Sequence, residues 1–200
     1  RRIGVVGTRK ATTYGRITCE KMTEDLIENG ITTVSGLALG IDSICHKRTL
    51  DKSGKTIAVV GSGLDIIYPK ENRILWEQIE KYGLIISEYP LGTEPIGYNF
   101  PMRNRIIVGL SKGILVIESQ KKGGSLITAE LALEEGREVF AVPGDIFSPS
   151  SEGCNNLIKN SQAKLTTDVK DIIVEYGWKI KNNKNSNLDL TSYEEKIFSL

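Results

Sequence analysis

The stretch GILVIESQKKGGSLITAELALEEGREVFAVPG, residues 113–144, contains two apolar segments separated by a glycine-rich turn and a helical pattern. The segments at 113–119 and 138–144 are rich in β-branched residues and have continuously apolar centres, as in strands that are covered on both faces. Gly136 ends the helical segment at 125–136, at the position where a glycine commonly caps a helix. A strand, a helix and a strand at this spacing predict a right-handed parallel βαβ unit.

The same alternation extends over most of the chain. Further strands are predicted at 2–7, 32–36, 56–61 and 84–88, and further helices near 15–29, 41–52, 71–82, 101–111 and 154–160. Repeated alternation of this kind predicts an α/β fold with a doubly wound, mostly parallel sheet.

Length and composition indicate an ordinary globular domain. The 200 residues are 40% hydrophobic and 26% charged, which is enough for one domain that buries about 70% of the surface of the unfolded chain. The net charge is only +1, so anion binding would depend on local clusters of cations. The longest apolar runs have about six residues, too few to span a bilayer, and no membrane association is expected.

The cysteines and the two ends of the sequence indicate the cellular compartment and the domain organisation. Three widely spaced cysteines and a single histidine predict packed thiols in a reducing cytoplasm and no metal site. The first residues are predicted to form a strand and not a signal peptide, and the missing initiating Met suggests a fragment. We expect one domain over 1–178, a Lys- and Asn-rich linker over 179–190, and the start of a truncated C-terminal helical domain over 191–200.

Phosphate-binding features follow two of the predicted strands, at the end of the sheet where doubly wound folds bind ligands. GTRKATTYGR (7–16) combines a glycine, hydroxyl groups and three cations ahead of a helix. Such a turn is either an anion site made of backbone amides and a guanidinium, or a solvated basic turn. QKKGGSLITAE (120–130) offers two glycines, two lysines and the hydroxyls of Ser125 and Thr128, which also suits a phosphate.

Other motifs argue against a catalytic or cofactor site. The turn SGLALGID (35–42) predicts Asp42 as a helix cap, and a pair with His46 is possible, structural rather than catalytic, because no nucleophile motif accompanies it. SGKT (53–56) lacks the first glycine of a Walker A loop, and GSGLDI (61–66) lacks the third glycine of a dinucleotide fingerprint. No cofactor, no metal and no catalytic residue are expected.

FPMRNRIIVGLS (100–111) begins a predicted buried helix with a Phe-Pro pair and two arginines. Pro101 suits the first helical position. Arg103 and Arg105 lie roughly 200° apart on an ideal helix, so we expect one of them to meet an internal carboxylate. Phe100 either stacks on a nucleobase or fills the edge of the sheet, and the neighbouring arginines favour stacking on single-stranded nucleic acid.

The chain resembles the DNA-processing protein A (DprA/Smf) family through a series of segments that occur in the same order over residues 2–160. They include GTRKATTYG, VSGLALGID, GLDIIYPKEN, FPMRNRIIVGLS and GGSLITAELALEEGREVFAVPG. The resemblance implies an extended Rossmann-like domain in a bacterial cytoplasmic protein that binds single-stranded DNA and helps load RecA recombinase during natural transformation. It also implies a homodimer, for which 145–160 is our candidate interface, and a winged-helix-like domain beginning after Thr191.

The motifs of the family locate the expected DNA-binding residues. Its Gly-Ser/Thr-Arg motif falls on 7–9, its Phe-Pro-x-Arg-Asn-Arg motif on 100–105 and its Gly-Ser-Leu-Ile-Thr-Ala motif on 124–129, while Leu39 and Met102 stand where the family usually has basic residues. Together, these motifs and the turns that follow the predicted strands give the expected DNA-binding residues: Gly7, Thr8, Arg9, Lys10, Ser35, Gly36, Phe100, Arg103, Asn104, Arg105, Lys122, Gly124, Ser125 and Thr128.

An enzyme that cleaves nucleoside monophosphates is the alternative function. GGSLITAE (123–130) resembles, in length and in its closing Glu130, the Gly-Gly-x-Gly-Thr-x-x-Glu loop of the lysine-decarboxylase-like phosphoribohydrolases. Leu126 and Ile127 replace the Gly-Thr pair of that loop, so its tight phosphate turn is lost. Glu130 would lie about one and a half turns into the helix. We therefore expect a DNA-binding protein without enzymatic activity.

Overall fold

A computed structural model describes residues 1–179, which form a single seven-stranded parallel sheet flanked by helices. The strands are β1 (Arg2–Val6), β2 (Thr32–Ser35), β3 (Thr56–Val59), β4 (Leu84–Ile86), β5 (Gly113–Val116), β6 (Glu138–Ala141) and β7 (Lys164–Leu165). The helices are α1 (Thr13–Glu28), α2 (Ile41–Asp51), α3 (Arg73–Tyr82), α4 (Asn99–Leu110), α5 (Gly124–Glu134), α6 (Glu152–Lys159) and α7 (Val169–Glu175), with a 3₁₀ turn at Lys70–Asn72. The doubly wound α/β prediction is confirmed.

The order of the strands in the sheet is β4-β3-β2-β1-β5-β6-β7, and every neighbouring pair is parallel. The chain builds outward from β1 to β4 and then returns to place β5 on the other side of β1. This reversal leaves a crevice at the carboxyl ends of β1 and β5, the position at which open α/β sheets bind ligands.

The central strands bury both of their faces. In β5 and the residue after it, Leu115 and Ile117 pack into a core with α1, α2 and α7, while Ile114 and Val116 pack into a second core with α4, α5 and α6. Successive side chains of a strand point to opposite faces, so a continuously apolar strand needs a helical layer on each side. This requirement explains the apolar centres of the predicted strands.

Several predicted details are wrong. β7 and α7 were not predicted, because β7 has two exposed residues and α7 only seven residues. Pro101 is the third residue of α4 and not the first, since the helix begins at Asn99, whose side chain donates to the carbonyl of Gly61. The first-turn amides of a helix lack intrahelical acceptors, so proline is tolerated there as well.

Some predictions concern residues for which the structure gives no description. The linker predicted at 179–190, apart from Lys179, and the domain start predicted at 191–200 lie outside the described residues. Within residues 1–179, no helix is both long enough and apolar enough to cross a membrane.

Candidate nucleic-acid interface

The crevice between the carboxyl ends of β1 and β5 has a volume of about 250 Å³. Its walls are the turn after β1, the first turns of α4 and the amino end of α5. Eight of the predicted DNA-binding residues line it, namely Gly7, Thr8, Arg9, Arg103, Asn104, Gly124, Ser125 and Thr128. The fold therefore brings together three motifs that are far apart in the sequence.

The turn after β1 is fixed by backbone hydrogen bonds on both sides. The amide of Thr8 donates to the carbonyl of Glu118 at 2.8 Å, and the amide of Ile41 donates to the carbonyl of Thr8 at 3.1 Å. Gly40 has a φ of 81°, and a Cβ atom there would overlap the Thr8 carbonyl oxygen. Glycine is therefore required at this position, and the anchored turn leaves Arg9 exposed at the mouth of the crevice.

A buried carboxylate holds the amino end of α1 next to this turn. Glu118, just beyond β5, accepts hydrogen bonds from the amide and the hydroxyl of Thr12 at 2.9 and 2.6 Å. Thr12 in turn caps α1 by accepting from the amide of Gly15. Both oxygens of the Glu118 carboxylate therefore accept hydrogen bonds from within the protein.

Phe100 lies in a recess next to the crevice, which shares Arg9 and Arg103 with it, in an aromatic and cationic cluster. The guanidinium carbon of Arg9 is 5.5 Å from the centroid of the Phe100 ring, and the ring of Tyr68 is 5.5 Å away on a tilted plane. The ring also packs beside Gly61, where an added Cβ would lie 3.1 Å from Phe100 Cδ1. Phe100 is half-buried, so the ring both fills the sheet edge and remains partly accessible.

Arg103 is an internal residue, although it lines the crevice. It is 4% exposed, and its guanidinium donates to the carbonyl oxygens of Gly36 at 2.7 Å and of Val59. Burial lowers the pKa of Arg103 to about 10, against the opposing effect of Asp42. Arg103 therefore remains charged at neutral pH and ties the carboxyl ends of β2 and β3 to α4.

Asp42 holds the turn after β2 and does not cap α2. Its carboxylate accepts from the amides of Gly36 at 3.1 Å and Ala38 at 3.4 Å, while the N-cap position is occupied by Gly40. Burial raises the pKa of Asp42, and the nearby Arg103 opposes this shift. Gly36 passes so close to Arg103 and Asp42 that a Cβ atom would lie 2.6 and 2.7 Å from their side chains.

The pair of Asp42 and His46, which the sequence allowed, does not form. His46 is fully buried, its Nδ1 lies 2.6 Å from the hydroxyl of Thr56, and burial lowers the pKa of His46 to about 3. Asp42 is engaged by backbone amides, so the two side chains serve separate structural roles.

The other predicted residues lie outside the crevice or beneath its surface. Arg105 is exposed and forms an ion pair with Glu88, which is also exposed and is not the internal carboxylate that was expected. The arginine that lies near a buried carboxylate is Arg103, beside Asp42. Lys10 and Lys122 are exposed on the flanking turns. Ser35 is fully buried and donates to the carbonyl of Val5 at 2.6 Å, so its hydroxyl is used inside the sheet and is not available at the surface.

The amino end of α5 forms the opposite wall. Gly124 is exposed with open space around it, whereas the hydroxyl of Ser125 is turned inward and donates to Ser119 Oγ at 2.9 Å. Lys121 pairs with Glu152 at 3.3 Å. The first amides of a helix and its positive dipole end favour an anion, so this wall complements the cation at Arg9.

The sequence analysis did not single out Tyr68, which lines a smaller recess with Leu39, Phe100 and Arg9. Tyr68 lies in the loop after β3, which carries no phosphate-type pattern, and only the folded chain brings it next to Phe100. Among residues 1–179, no cluster of three or more His, Cys, Asp or Glu side chains is arranged to hold a metal.

Comparisons with known proteins identify the relatives of this chain. A family model described as DNA recombination-mediator protein A matches residues 1–177. The DNA processing protein DprA of Streptococcus pneumoniae is 47% identical over 175 residues, which are 88% of this chain and 61% of that protein. The chain therefore spans less than two thirds of that relative.

Two solved structures share the fold over nearly the same length. The X-ray structure of the S. pneumoniae protein matches with a TM-score of 0.82 at 46% identity, over 87% of this chain and 61% of that one. DNA processing protein A from Helicobacter pylori, whose structure addresses its mode of single-stranded DNA binding, matches with a TM-score of 0.80 at 32% identity, over 88% of this chain and 79% of that one. The chain belongs to the DNA recombination-mediator protein A family.

Proposed function

We propose that this chain binds single-stranded DNA across the crevice between β1 and β5, as part of a DNA-processing protein that acts in recombination. The observation that carries the proposal is the convergence of exposed Arg9, the amino end of α5 and the partly accessible ring of Phe100 at one edge of the sheet. The H. pylori relative, described as binding single-stranded DNA, supports the same ligand.

Each part of the crevice has a role in this proposal. Arg9 and the first amides of α5 bind phosphates, and the ring of Phe100 stacks on a base. Arg103 contributes positive charge from just beneath the surface, while its own hydrogen bonds maintain the shape of the crevice. Backbone and stacking contacts do not read base edges, so sequence preference is weak.

Two variants test the two kinds of contact. Arg9→Ala should weaken the binding of oligo-dT and reduce the slope of log K against log salt by about 0.7, the loss of one phosphate contact. Lys112→Ala removes an equal charge at the amino end of β5, on the side of the sheet away from the crevice, and serves as the control. A folded Arg9→Ala protein with an unchanged salt slope would remove Arg9 from the site.

Phe100→Ala should cost about 1–3 kcal/mol of binding free energy without altering the salt slope, because stacking releases no counterions. Thermal melts check that the variant is folded. Unchanged affinity would mean that Phe100 only packs against Gly61 and Tyr68.

The wider role proposed for the full protein follows the family. We propose that it is a cytoplasmic protein that helps load RecA recombinase during natural transformation, and that it acts as a homodimer. The loop at 145–151 supports self-association, because Ile146 and Phe147 are 81% and 88% exposed on a loop held by the hydrogen bonds of Gly144 with Asn155. Light scattering on Phe147→Ser should show loss of the dimer; a wild-type monomer at high concentration contradicts it.

A further inference from the structure

A second groove, separate from the crevice, crosses the outer side of the turn after β1. Its volume is about 680 Å³, and it is formed by the amino end of α1, the start of α2 and the first turns of α3. Four cations line it, namely Arg9, Lys10, Arg16 and Lys47, and its apolar floor includes Leu39, Ile44 and Leu75. We refer to these seven residues as the basic groove.

The cations of the basic groove are not neutralised by the protein. Within residues 1–179, none of the four forms an ion pair, and Glu71 is the single carboxylate among the described lining residues. Some other cations of the chain are paired, as Arg48 and Lys52 are with Glu24. Although the net charge of the chain is only +1, four unpaired cations beside one carboxylate give this groove a local excess of positive charge, which favours a polyanion.

The basic groove is continuous with the site of the proposed function. Arg9 lines the crevice, the recess beside Phe100 and the basic groove, and Leu39 lines the last two. A nucleic-acid strand whose phosphate binds Arg9 can therefore continue along the basic groove without leaving the surface. No aromatic side chain is among its described lining residues, so the groove is suited to phosphates and not to stacked bases.

We propose that the basic groove is the second segment of the DNA site and binds the phosphates of the same single strand after it has passed Arg9. This inference rests on the proposed function, because it needs a strand already bound in the crevice. Arg16 on α1 and Lys47 on α2 supply the new phosphate contacts. Affinity then depends on whether an oligonucleotide is long enough to reach both segments.

The test compares a short and a long oligo-dT, of about 5 and about 20 nucleotides, with two charge-matched double variants. Arg16→Ala/Lys47→Ala removes the two cations that line only the basic groove, and Lys55→Ala/Lys112→Ala removes two exposed cations at the amino ends of β3 and β5. All four side chains are exposed and unpaired within the described residues, so both variants are expected to fold, which thermal melts would check.

Each phosphate contact of a single strand contributes about 0.7 to the slope of log K against log salt. When the salt concentration falls from about 1 M to about 0.1 M, one such contact therefore raises the affinity roughly five-fold. For Arg16→Ala/Lys47→Ala we expect the long oligonucleotide to bind about 25-fold more weakly, with a slope reduced by about 1.4. The short oligonucleotide should bind like the wild type. The Lys55→Ala/Lys112→Ala control should leave both affinities unchanged.

The remaining outcomes separate this inference from the proposed function. Equal binding of the long oligonucleotide by both double variants overturns the inference, as does an equal loss for the short one. Failure of the wild-type chain to bind either length overturns the proposed function instead. Labelled poly-glutamate that binds the wild type and not Arg16→Ala/Lys47→Ala, while oligonucleotide binding is unchanged, would assign the groove to an acidic protein partner and also overturn the inference.

Discussion

Arg103 and Arg105 are two positions apart in the sequence and have opposite environments. Arg103 is buried against the carbonyls of Gly36 and Val59, whereas Arg105 is exposed beside Glu88. A helix turns roughly 200° over two residues, so only one of the pair can face the sheet from α4. The buried guanidinium also compensates the buried carboxylate of Asp42, since the two charges oppose the effect of burial on each other's pKa.

Methionine keeps a long unbranched side chain but removes the charge. Its substitution for Arg103 and its substitution for Arg105 should have very different effects on the free energy of unfolding. Arg103→Met leaves Asp42 and two carbonyls uncompensated, and we expect a loss of about 3–5 kcal/mol in the free energy of unfolding. Arg105→Met removes only a surface ion pair and should cost less than about 1 kcal/mol. Urea unfolding at neutral pH measures both, and similar losses for the two variants would contradict an architectural role for Arg103.

The sequence predicted that these arginines diverge but not which of them is internal. That choice depends on which side of α4 packs on the sheet, and α4 has apolar residues on more than one side. Ser35 shows the same limit. Ser35 was expected to bind DNA, but the pleat of β2 turns its hydroxyl toward the carbonyl of Val5.

At the scale of elements, α2 is joined to the sheet by buried polar groups as well as by apolar packing. The hydroxyl of Thr33 on β2 lies 2.9 Å from those of Thr49 on α2 and Thr56 on β3. His46 contacts the same Thr56 through Nδ1, and its Nε2 has no hydrogen-bond partner within the described residues. Such a network tolerates a neutral imidazole but not a charged one.

Because of this network, the free energy of unfolding should decrease as the pH is lowered. The pKa of His46 is lowered from 6.5 in the unfolded chain to about 3 in the folded one, so between these values the unfolded state binds the extra proton. The contribution of neutral His46 to the free energy of unfolding is fully present above pH 6.5. It is lost as the pH falls, by up to about 1.4 kcal/mol per pH unit. His46→Asn keeps a polar atom near Nδ1 and lacks the titration.

Urea unfolding of both proteins from pH 7 to about 4.5 isolates the contribution of His46, because the carboxylates contribute equally to each. The wild type should lose stability more steeply than His46→Asn below pH 6.5. If the free energy of unfolding depends on pH in the same way for both proteins, the imidazole of His46 is protonated in the folded state as well.

Most elements were predictable because their signals are local. Continuous apolar runs predict strands such as β1, β3 and β5, which are buried on both faces. β7 and α7 lack such signals: the two residues of β7 are exposed, and the pairing of β7 with β6 is an effect of the tertiary structure. The link from α1 to β5 through Glu118 and Thr12 was also unpredictable, because the two residues are 106 positions apart.

At the scale of the whole molecule, the arrangement of the carboxylates bears on the choice between the proposed DNA-binding function and the alternative hydrolytic one. A nucleoside-monophosphate-cleaving enzyme needs a free carboxylate near the sugar. Asp42 is the one carboxylate among the described residues that line the crevice, and its Oδ2 accepts from the amides of Gly36 and Ala38. Glu118 is likewise occupied by Thr12. Both carboxylates therefore have a structural role in holding the backbone around the crevice.

Glu130 is the residue that the alternative function would require, and its position tests that function. It is exposed on α5, six residues after Gly124 and therefore about 9 Å farther along the helix axis, and it does not line the crevice. We expect no release of free base when the chain is incubated with nucleoside monophosphates, and equal oligo-dT binding by the wild type and Glu130→Gln. Glu134→Gln, an exposed position one turn later on the same helix, is the matched control. Base release that is lost in Glu130→Gln and retained in Glu134→Gln, without binding of oligo-dT at low salt, would favour the enzyme, because only a carboxylate acting on the sugar links that position to the chemistry.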